Sequence, residues 1–310
     1  MTTILFAAGS KRWAEYETPL RRALDALGLD YTLSPETDDP AQVDYIIYAP
    51  NPSLHDFTPL TNAKAVLSLW AGVERIVGNE TLTMPLARMV NDGMTEGMVE
   101  WVVANVLRHH LGLDRYVLNP TREWAPRVPP LARDRKVAVL GLGALGQACA
   151  KGLAGMNFDV TGWSRSRKDI AGITCLSGDD GLAQTLARAE ILVLLLPLTA
   201  DTENLLNAKR LAQMPAGAVV INPGRGPLID DDALLAALDS GHIAHATLDV
   251  FRKEPLPADH PYWAHPKVTV TPHIASDFRT DSAAQVIAEN IRRGEAGEPL
   301  LHLVDRGAGY

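Results

Sequence analysis

Short apolar runs alternate with segments of helical period along almost the whole chain. In the first third the runs are Ile4-Leu-Phe-Ala, Tyr45-Ile-Ile-Tyr, Ala65-Val-Leu-Ser-Leu and Leu86-Ala-Arg-Met-Val, with a helical segment over Pro19 to Leu27. Strand–helix alternation of this kind implies a parallel α/β layer. Thr95 to His110 reads as a long helix, with Thr95 as its N-cap and Met98, Val102 and Val106 on one face. Such a helix is placed to carry the chain from one domain into the next.

From Lys136 onward the alternation is cleaner. The runs are Val137-Ala-Val-Leu, Val160-Thr-Gly-Trp, Ile191-Leu-Val-Leu-Leu, Ala218-Val-Val-Ile, Ala246-Thr-Leu and Val268-Thr-Val, most of them separated by helical patterns. That is the ladder of a doubly wound sheet. Ser282 to Arg293 is again helical in pattern and is expected to return to the first domain. The expected division is therefore discontinuous, residues 1–98 and 277–310 forming one domain and residues 99–276 the other. Between the two patterns, Gly112 to Arg135 is polar, contains Pro120, Pro126, Pro129 and Pro130, and carries the aromatic Trp124. Two readings stay open there, an exposed arm that docks on a second subunit and a surface loop with a tucked indole.

Length and charge narrow the picture. A chain of 310 residues favours two domains over a single core. Its net charge of -8 leaves no basic stripe, so the sequence-independent part of nucleic-acid binding is missing. Cys149 and Cys175 lack CxxC or His-ligand spacing, which suits a reduced, intracellular compartment. The N-terminus has no basic leader and reads as a first strand, and the longest apolar run, Ile191 to Leu198, is too short to span a bilayer. A cytoplasmic protein without membrane or nucleic-acid partners is expected. Neither His109-His110 nor His242 and His245 has a metal-binding spacing, so no metal is expected.

The chemistry begins at Gly141-Leu-Gly-Ala144-Leu145-Gly146, which follows the run Val137–Leu140 and precedes a helical segment. In such a fingerprint Gly141 makes the tight turn, Gly143 leaves room for a pyrophosphate, and Gly146 allows close helix–strand packing. NAD-selective sites carry an Asp or Glu at the end of the second strand. Here that place reads Trp163-Ser164-Arg165-Ser166-Arg167-Lys168, which offers cations and hydroxyls for a ribose 2'-phosphate. NADP(H) is the preferred cofactor, with NAD(H) as the alternative.

Three phrases near the ends of later runs supply the rest: Asn222-Pro223-Gly-Arg225-Gly, Leu248-Asp249-Val-Phe-Arg-Lys-Glu254-Pro and Thr271-Pro-His273-Ile-Ala275-Ser. With the fingerprint upstream they suggest hydride chemistry on a small carboxylate, which needs a hydride donor, a proton for the developing alkoxide, and a cation for the carboxylate and the carbonyl. His273 suits the proton, Glu254 would favour its imidazolium, and Arg225 offers a planar fork.

With the Pro197-Leu-Thr-Ala-Asp-Thr202 turn, Glu254-Pro-Leu-Pro and Thr271-Pro-His273, these phrases resemble the D-isomer-specific 2-hydroxyacid dehydrogenases over nearly the whole chain. Within the family the chain is most similar to the bacterial branch that reduces glyoxylate and hydroxypyruvate. The resemblance implies an α/β fold of two doubly wound parallel-sheet domains: a Rossmann cofactor domain and a flavodoxin-like substrate domain, with the active site in the cleft. It assigns catalysis to Arg225, Glu254 and His273, and adds Leu196, Pro197, Pro223, Asp249 and Ala275 to the cofactor residues. Asp249 would meet the nicotinamide carboxamide; turn capping is its other reading. Trp70-Ala71-Gly72-Val73 matches the loop whose N–H groups hold the substrate carboxylate, together with Arg225 and His273.

Trp70 and Pro223 depart from the family pattern. A bulky Trp70 either narrows the pocket toward two- and three-carbon acids or belongs to the core, and Pro223 stiffens its turn and removes an N–H. The implied partner is a small 2-oxo or 2-hydroxy acid, in a homodimer. Two alternatives remain: a dehydrogenase of the family with another substrate, and a nucleotide-sensing, co-repressor-like binding protein built on the same fold.

Overall fold

The computed structural model describes residues 1–50, 54–117, 122–276, 279–307 and 309. In chain order the strands are β1 (Thr2–Ala7), β2 (Tyr31–Ser34), β3 (Tyr45–Tyr48), β4 (Ala65–Ser68), β5 (Leu86–Ala87), β6 (Lys136–Leu140), β7 (Asp159–Ser164), β8 (Thr174–Ser177), β9 (Ile191–Leu194), β10 (Ala218–Asn222), β11 (Ile243–Leu248) and β12 (Val268–Val270). The helices are α1 (Ser10–Ala26), α2 (Asp92–Leu111), α3 (Asp114–Val117), α4 (Ala144–Gly155), α5 (Gly178–Arg188), α6 (Ala208–Leu211), α7 (Asp231–Asp239), α8 (Pro261–Ala264) and α9 (Thr280–Glu295). The chain divides into a first unit of Met1–Met94 with Phe278–Tyr310 and a second unit of Thr95–Asp277.

The first unit is built on a parallel sheet of order β2-β1-β3-β4-β5. Strands β3 and β4 are buried along their whole length, as expected of a parallel sheet covered on both faces. Tyr16, Leu20 and Leu24 recur every four residues on α1 and form its buried stripe. That helix packs on α9, which buries Ala283, Ala284, Ile287, Ala288 and Ile291. The helix expected from Pro19 in fact starts at Ser10 and carries Pro19 inside it. Proline within a helix costs about 3 kcal/mol, and the buried stripe on either side of Pro19 offsets that cost.

The C-terminal segment closes the β5 edge. Val304 N–H donates to Leu86 O at 2.9 Å and Arg88 N–H to His302 O at 3.0 Å, while Arg306 donates to the carbonyls of Val77, Asn79 and Leu82.

The second unit holds a parallel sheet of order β12-β11-β10-β9-β6-β7-β8. Alternate residues of its strands feed two separate cores, because side chains of a strand point to opposite faces in turn. Val137, Val139, Ile191 and Val193 pack with Met98, Val102 and Val106 of α2 and with Cys149, Ala150 and Leu153 of α4. Ala138, Leu140, Leu192 and Leu194 pack on the other face with Leu182 and Leu186 of α5 and Leu234 and Leu238 of α7. The order of strand addition reverses between β6 and β9, which flank one another in the sheet.

Helix α2 begins ahead of the expected Thr95. The side chain of Asn91 accepts from Met94 N–H at 2.7 Å and so takes the N-cap role. Strands β2 and β8, both at sheet edges, were not expected from the pattern. Trp124 is 96% exposed and Val128 91% exposed, so the indole is not tucked. Pro120 lies outside the described residues. No helix among the described residues is long and apolar enough to cross a membrane.

Candidate active site

The fingerprint follows β6 at the point where the strand order reverses, the position at which doubly wound sheets bind ligands. A Cβ at Gly141 would lie 2.5 Å from Leu195 O, and one at Gly146 only 1.7 Å from Gly141 O. Both glycines are therefore demanded by the close crossing of turn, strand and helix. Gly143 differs, because a Cβ there meets nothing within 4 Å. It is the N-cap residue of α4, makes no side-chain cap, and stands exposed beside Ala144. Uncapped amides at a helix start with open space before them fit a phosphate group.

Leu145 and Leu196 are largely buried beside this turn, and the Pro197–Thr202 turn is closed by the Thr202 hydroxyl donating to Pro197 O at 2.7 Å. At the end of β7 the buried Ser164 hydroxyl donates to Ser166 O at 2.7 Å, shaping the turn. The side chains of Arg165, Ser166, Arg167 and Lys168 are exposed there, with no carboxylate among them. That donor set matches a phosphate better than a pair of ribose hydroxyls.

The other candidates hang from three neighbouring strands. Arg225 follows β10, Asp249 and Glu254 follow β11, and His273 follows β12. Asn222 wraps the first turn around the buried Pro223: its carbonyl accepts from Gly224 N–H at 3.1 Å and its amide donates to Arg225 O at 2.9 Å. A Cβ at Gly226 would lie 2.1 Å from the Phe251 carbonyl carbon, so only glycine lets the β10 turn meet the β11 loop. The Arg225 guanidinium donates to Gly224 O at 2.7 Å.

His273 Nδ1 lies 2.8 Å from Glu254 Oε2, and the other carboxylate oxygen of Glu254 accepts from Phe251 N–H at 2.9 Å. The hydrogen bond to Glu254 raises the His273 pKa above the usual histidine value, against the opposing effects of burial and of Arg225. Burial alone would push Glu254 upward. Its hydrogen bonds to His273 and Phe251, with the charges of His273 and Arg225, hold it below the usual carboxylate range instead. The His273 side chain remains 54% exposed, so the ring is anchored at one nitrogen and open at the other.

Asp249 organises this loop. It is fully buried, and its carboxylate accepts from Ile274 N–H and Ala275 N–H at 2.9 Å each and from the Thr271 hydroxyl. His273 N–H donates to Asp249 O at 2.9 Å. His273 itself has φ +56, a left-handed conformation that costs a non-glycine residue about 1 kcal/mol or more and persists where its surroundings over-determine it. The four bonds to Asp249 do that. Asn222 and Thr271 were not singled out by sequence reasoning. Asn before Pro-Gly at a strand end is the available signal for the first, as an Asx turn.

In the first unit, the Trp70–Val73 loop follows β4. The Ser68 hydroxyl accepts from Trp70 N–H at 3.0 Å, and Met89 N–H donates to Trp70 O at 3.0 Å. Val73 is buried, while Trp70, Ala71 and Gly72 are half-buried. Trp70 is not a core residue; the guanidiniums of Arg12 and Arg75 lie over its ring. Among the described residues, no group of three or more His, Cys, Asp or Glu side chains could hold a metal ion.

Comparison with known proteins adds to this geometry. Residues 101–275 match the model of the D-isomer specific 2-hydroxyacid dehydrogenase NAD binding domain. The chain is 40% identical over 255 residues to glyoxylate/hydroxypyruvate reductase A of Yersinia enterocolitica, covering 80% of this chain and 82% of that protein. A crystal structure of a D-isomer specific 2-hydroxyacid dehydrogenase from Xanthobacter autotrophicus Py2, in complex with NADPH and MES, is 41% identical. It superposes with a TM-score of 0.92, covering 100% of this chain and 99% of the other. The NADPH-dependent glyoxylate/hydroxypyruvate reductase of Sinorhizobium meliloti, crystallised with NADP and sulfate, is 34% identical with a TM-score of 0.89 and full coverage of both chains.

Proposed function

Because the chain belongs to the D-isomer-specific 2-hydroxyacid dehydrogenases, we propose that it uses NADPH to reduce small 2-oxo acids, glyoxylate to glycolate and hydroxypyruvate to D-glycerate. The observation that carries the reading is the 2.8 Å contact between His273 and Glu254 on a loop pinned by a buried aspartate. Reduction of the ketone leaves an alkoxide that must be protonated. His273, kept protonated by Glu254, gives that proton from Nε2, the nitrogen not engaged with Glu254. Arg225 binds the carboxylate and polarises the ketone, and its fixed charge stabilises the oxyanion as it grows. NADPH, when bound, supplies the hydride.

The cofactor's pyrophosphate is assigned to Gly143 and the first amides of α4, between Gly141 and Gly146, with Ala144 and Leu145 in that first turn. Its 2'-phosphate falls to Arg165, Ser166 and Arg167 beside Ser164, and Leu196 and Pro197 flank the ribose. Pro223, Asp249 and Ala275 line the nicotinamide end. The reaction matches that named for the Yersinia and Sinorhizobium relatives, and the cofactor matches that bound in the Xanthobacter and Sinorhizobium structures. The Trp70–Val73 loop is assigned to the substrate carboxylate through the N–H groups of Ala71, Gly72 and Val73, since that of Trp70 is engaged by Ser68, and the first and second units take the substrate and cofactor roles. The protein acts in the cytoplasm, as its two free thiols suit. The exposed arm bearing Trp124 and Val128 docks on a second copy to make a homodimer, which sedimentation equilibrium would test.

The deciding experiment is a steady-state panel of 2-oxo acids with NADPH and NADH. Turnover of glyoxylate and hydroxypyruvate with NADPH is expected, and no NADPH oxidation with any 2-oxo acid would sink the proposal. Replacing His273 by Ala should lower kcat by roughly 10²–10⁴-fold while leaving NADPH binding intact.

A further inference from the structure

In the first unit the loops after β1 and β4 leave the same edge of the sheet. β1 and β3 mark the point where strand order reverses, and β4 is the neighbour of β3. Ligands of open α/β sheets bind outside the carboxyl ends of the strands at such a point. The helix that follows the β1 loop and the loop after β4 each send a guanidinium to Trp70. Arg12, in the first turn of α1, lies 5.6 Å from the ring centroid, and Arg75 lies 5.8 Å from it.

Packing does not explain this stack, since Trp70 and Arg12 are half-buried and Arg75 is exposed. Helix stability does not explain it either. The first turn of α1 contains Lys11 and Arg12 and no acidic residue, and a cation there opposes the helix dipole by about 0.3–1 kcal/mol. Neither arginine forms an ion pair among the described residues, while Glu74 in the same loop has an interaction of its own. A guanidinium stacked on a ring uses its flat face, and its N–H donors lie in the plane and stay available to an anion.

We propose that Arg12 and Arg75, held on Trp70, recognise a second anionic group on the substrate, so that the enzyme favours short 2-oxo acids carrying a distal carboxylate or phosphate. This rests on the reading that the Trp70–Val73 loop holds the reacting carboxylate. Trp70 then restricts the length of the acid while its two cations select the charge at the far end. A charge-assisted hydrogen bond at a solvent-facing site contributes about tenfold in kcat/KM.

The test compares acids with and without the distal anion. In the carboxylate arm, kcat/KM for oxaloacetate over 2-oxobutyrate should be about tenfold in the unaltered enzyme. It should fall several-fold in Arg12→Met and in Arg75→Met, with Arg→Lys variants intermediate. In the phosphate arm, 3-phosphohydroxypyruvate over hydroxypyruvate is read with the same variants, and the arm with the larger ratio identifies the group. Calorimetric titration of D-malate against D-2-hydroxybutyrate, with NADPH present so that both partners are already reduced, reads the same preference without turnover. Ratios at or below one in both arms, or ratios unmoved by both Met variants, overturn the inference. Absence of turnover with every acid refutes the proposed reaction instead, and calorimetry then decides the site: a preference for D-malate lost in the Met variants supports it, and equal binding overturns it.

Discussion

Acidification should loosen the second unit through a pair of histidines that take no part in the proposed chemistry. His109 at the end of α2 and His245 on β11 have ring centroids 4.9 Å apart. His109 Nε2 lies 2.8 Å from the Thr247 hydroxyl and His245 Nε2 lies 2.9 Å from that of Thr269. Arg108 also donates to Thr269 and pairs with Asp114. Burial, then the positive neighbours, push His109 down to about 3 and His245 down to about 4. At pH 5 both rings therefore stay neutral in the folded chain, while a histidine in the unfolded chain, with a pKa of about 6.5, is almost fully protonated.

The unfolded state thus binds more protons, and stability must fall as pH drops through about 6.5 and level off below the folded values. The size at pH 5 is set almost wholly by the unfolded pKa, about 1.5 pH units away, which gives about 2 kcal/mol per ring and about 4 kcal/mol for the pair. Urea-dependent hydrogen exchange of the β11 and β12 amides, at pH 7 and pH 5, reads this in the second unit alone. A His109→Gln, His245→Gln variant keeps hydrogen-bonding groups near Thr247 and Thr269 without the titration, and carboxylate effects cancel in the comparison. The unaltered chain should lose about 4 kcal/mol more than the variant. Equal losses would show that the rings are not neutral at pH 5 or not buried as described.

Other consequences are specific to single residues. Glu254→Gln removes the charge that raises His273, so the pH at which reduction begins to fail should move downward in a kcat/KM profile; an unmoved limb would separate Glu254 from the proton donor. Arg165→Ala should weaken NADPH about tenfold, through loss of a charge-assisted contact at an exposed site, and NADH hardly at all; equal losses in fluorescence titrations would remove Arg165 from the 2'-phosphate. Asp249→Asn puts an amide against the N–H groups of Ile274 and Ala275, and should lower the melting temperature by several degrees and kcat at least tenfold.

How far the residues announce themselves depends on whether the physics is local. β3, β4, β6 and β9 were legible because both faces of each are covered, which leaves unbroken apolar runs. β2 and β8 were not, because at a sheet edge only Leu33 of β2 is buried and no residue of β8 is. The fingerprint was legible because its steric demands fall within a few residues, as the 1.7 Å approach at Gly146 shows. That Arg225, Glu254 and His273 leave one edge of the second sheet could be read, because each lies in the segment that follows a strand. The cation stack on Trp70 could not, since one of its two members, Arg12, stands far earlier in the chain.

Least legible was the work of Asp249. Its carboxylate could have capped its own turn or faced a ligand, and only the folded chain shows it accepting from the loop that carries His273, over 20 residues on. The left-handed His273 backbone is unfavourable on its own, so the same buried carboxylate that holds the loop in place also aims His273, the proposed proton donor. Stability and turnover should therefore fall together in Asp249→Asn. In Glu254→Gln, where only the ring's partner changes, the pH limb should move while the melting temperature changes little. An Asp249→Asn enzyme with normal stability and a normal kcat would show that Asp249 does not hold the geometry of the proton donor.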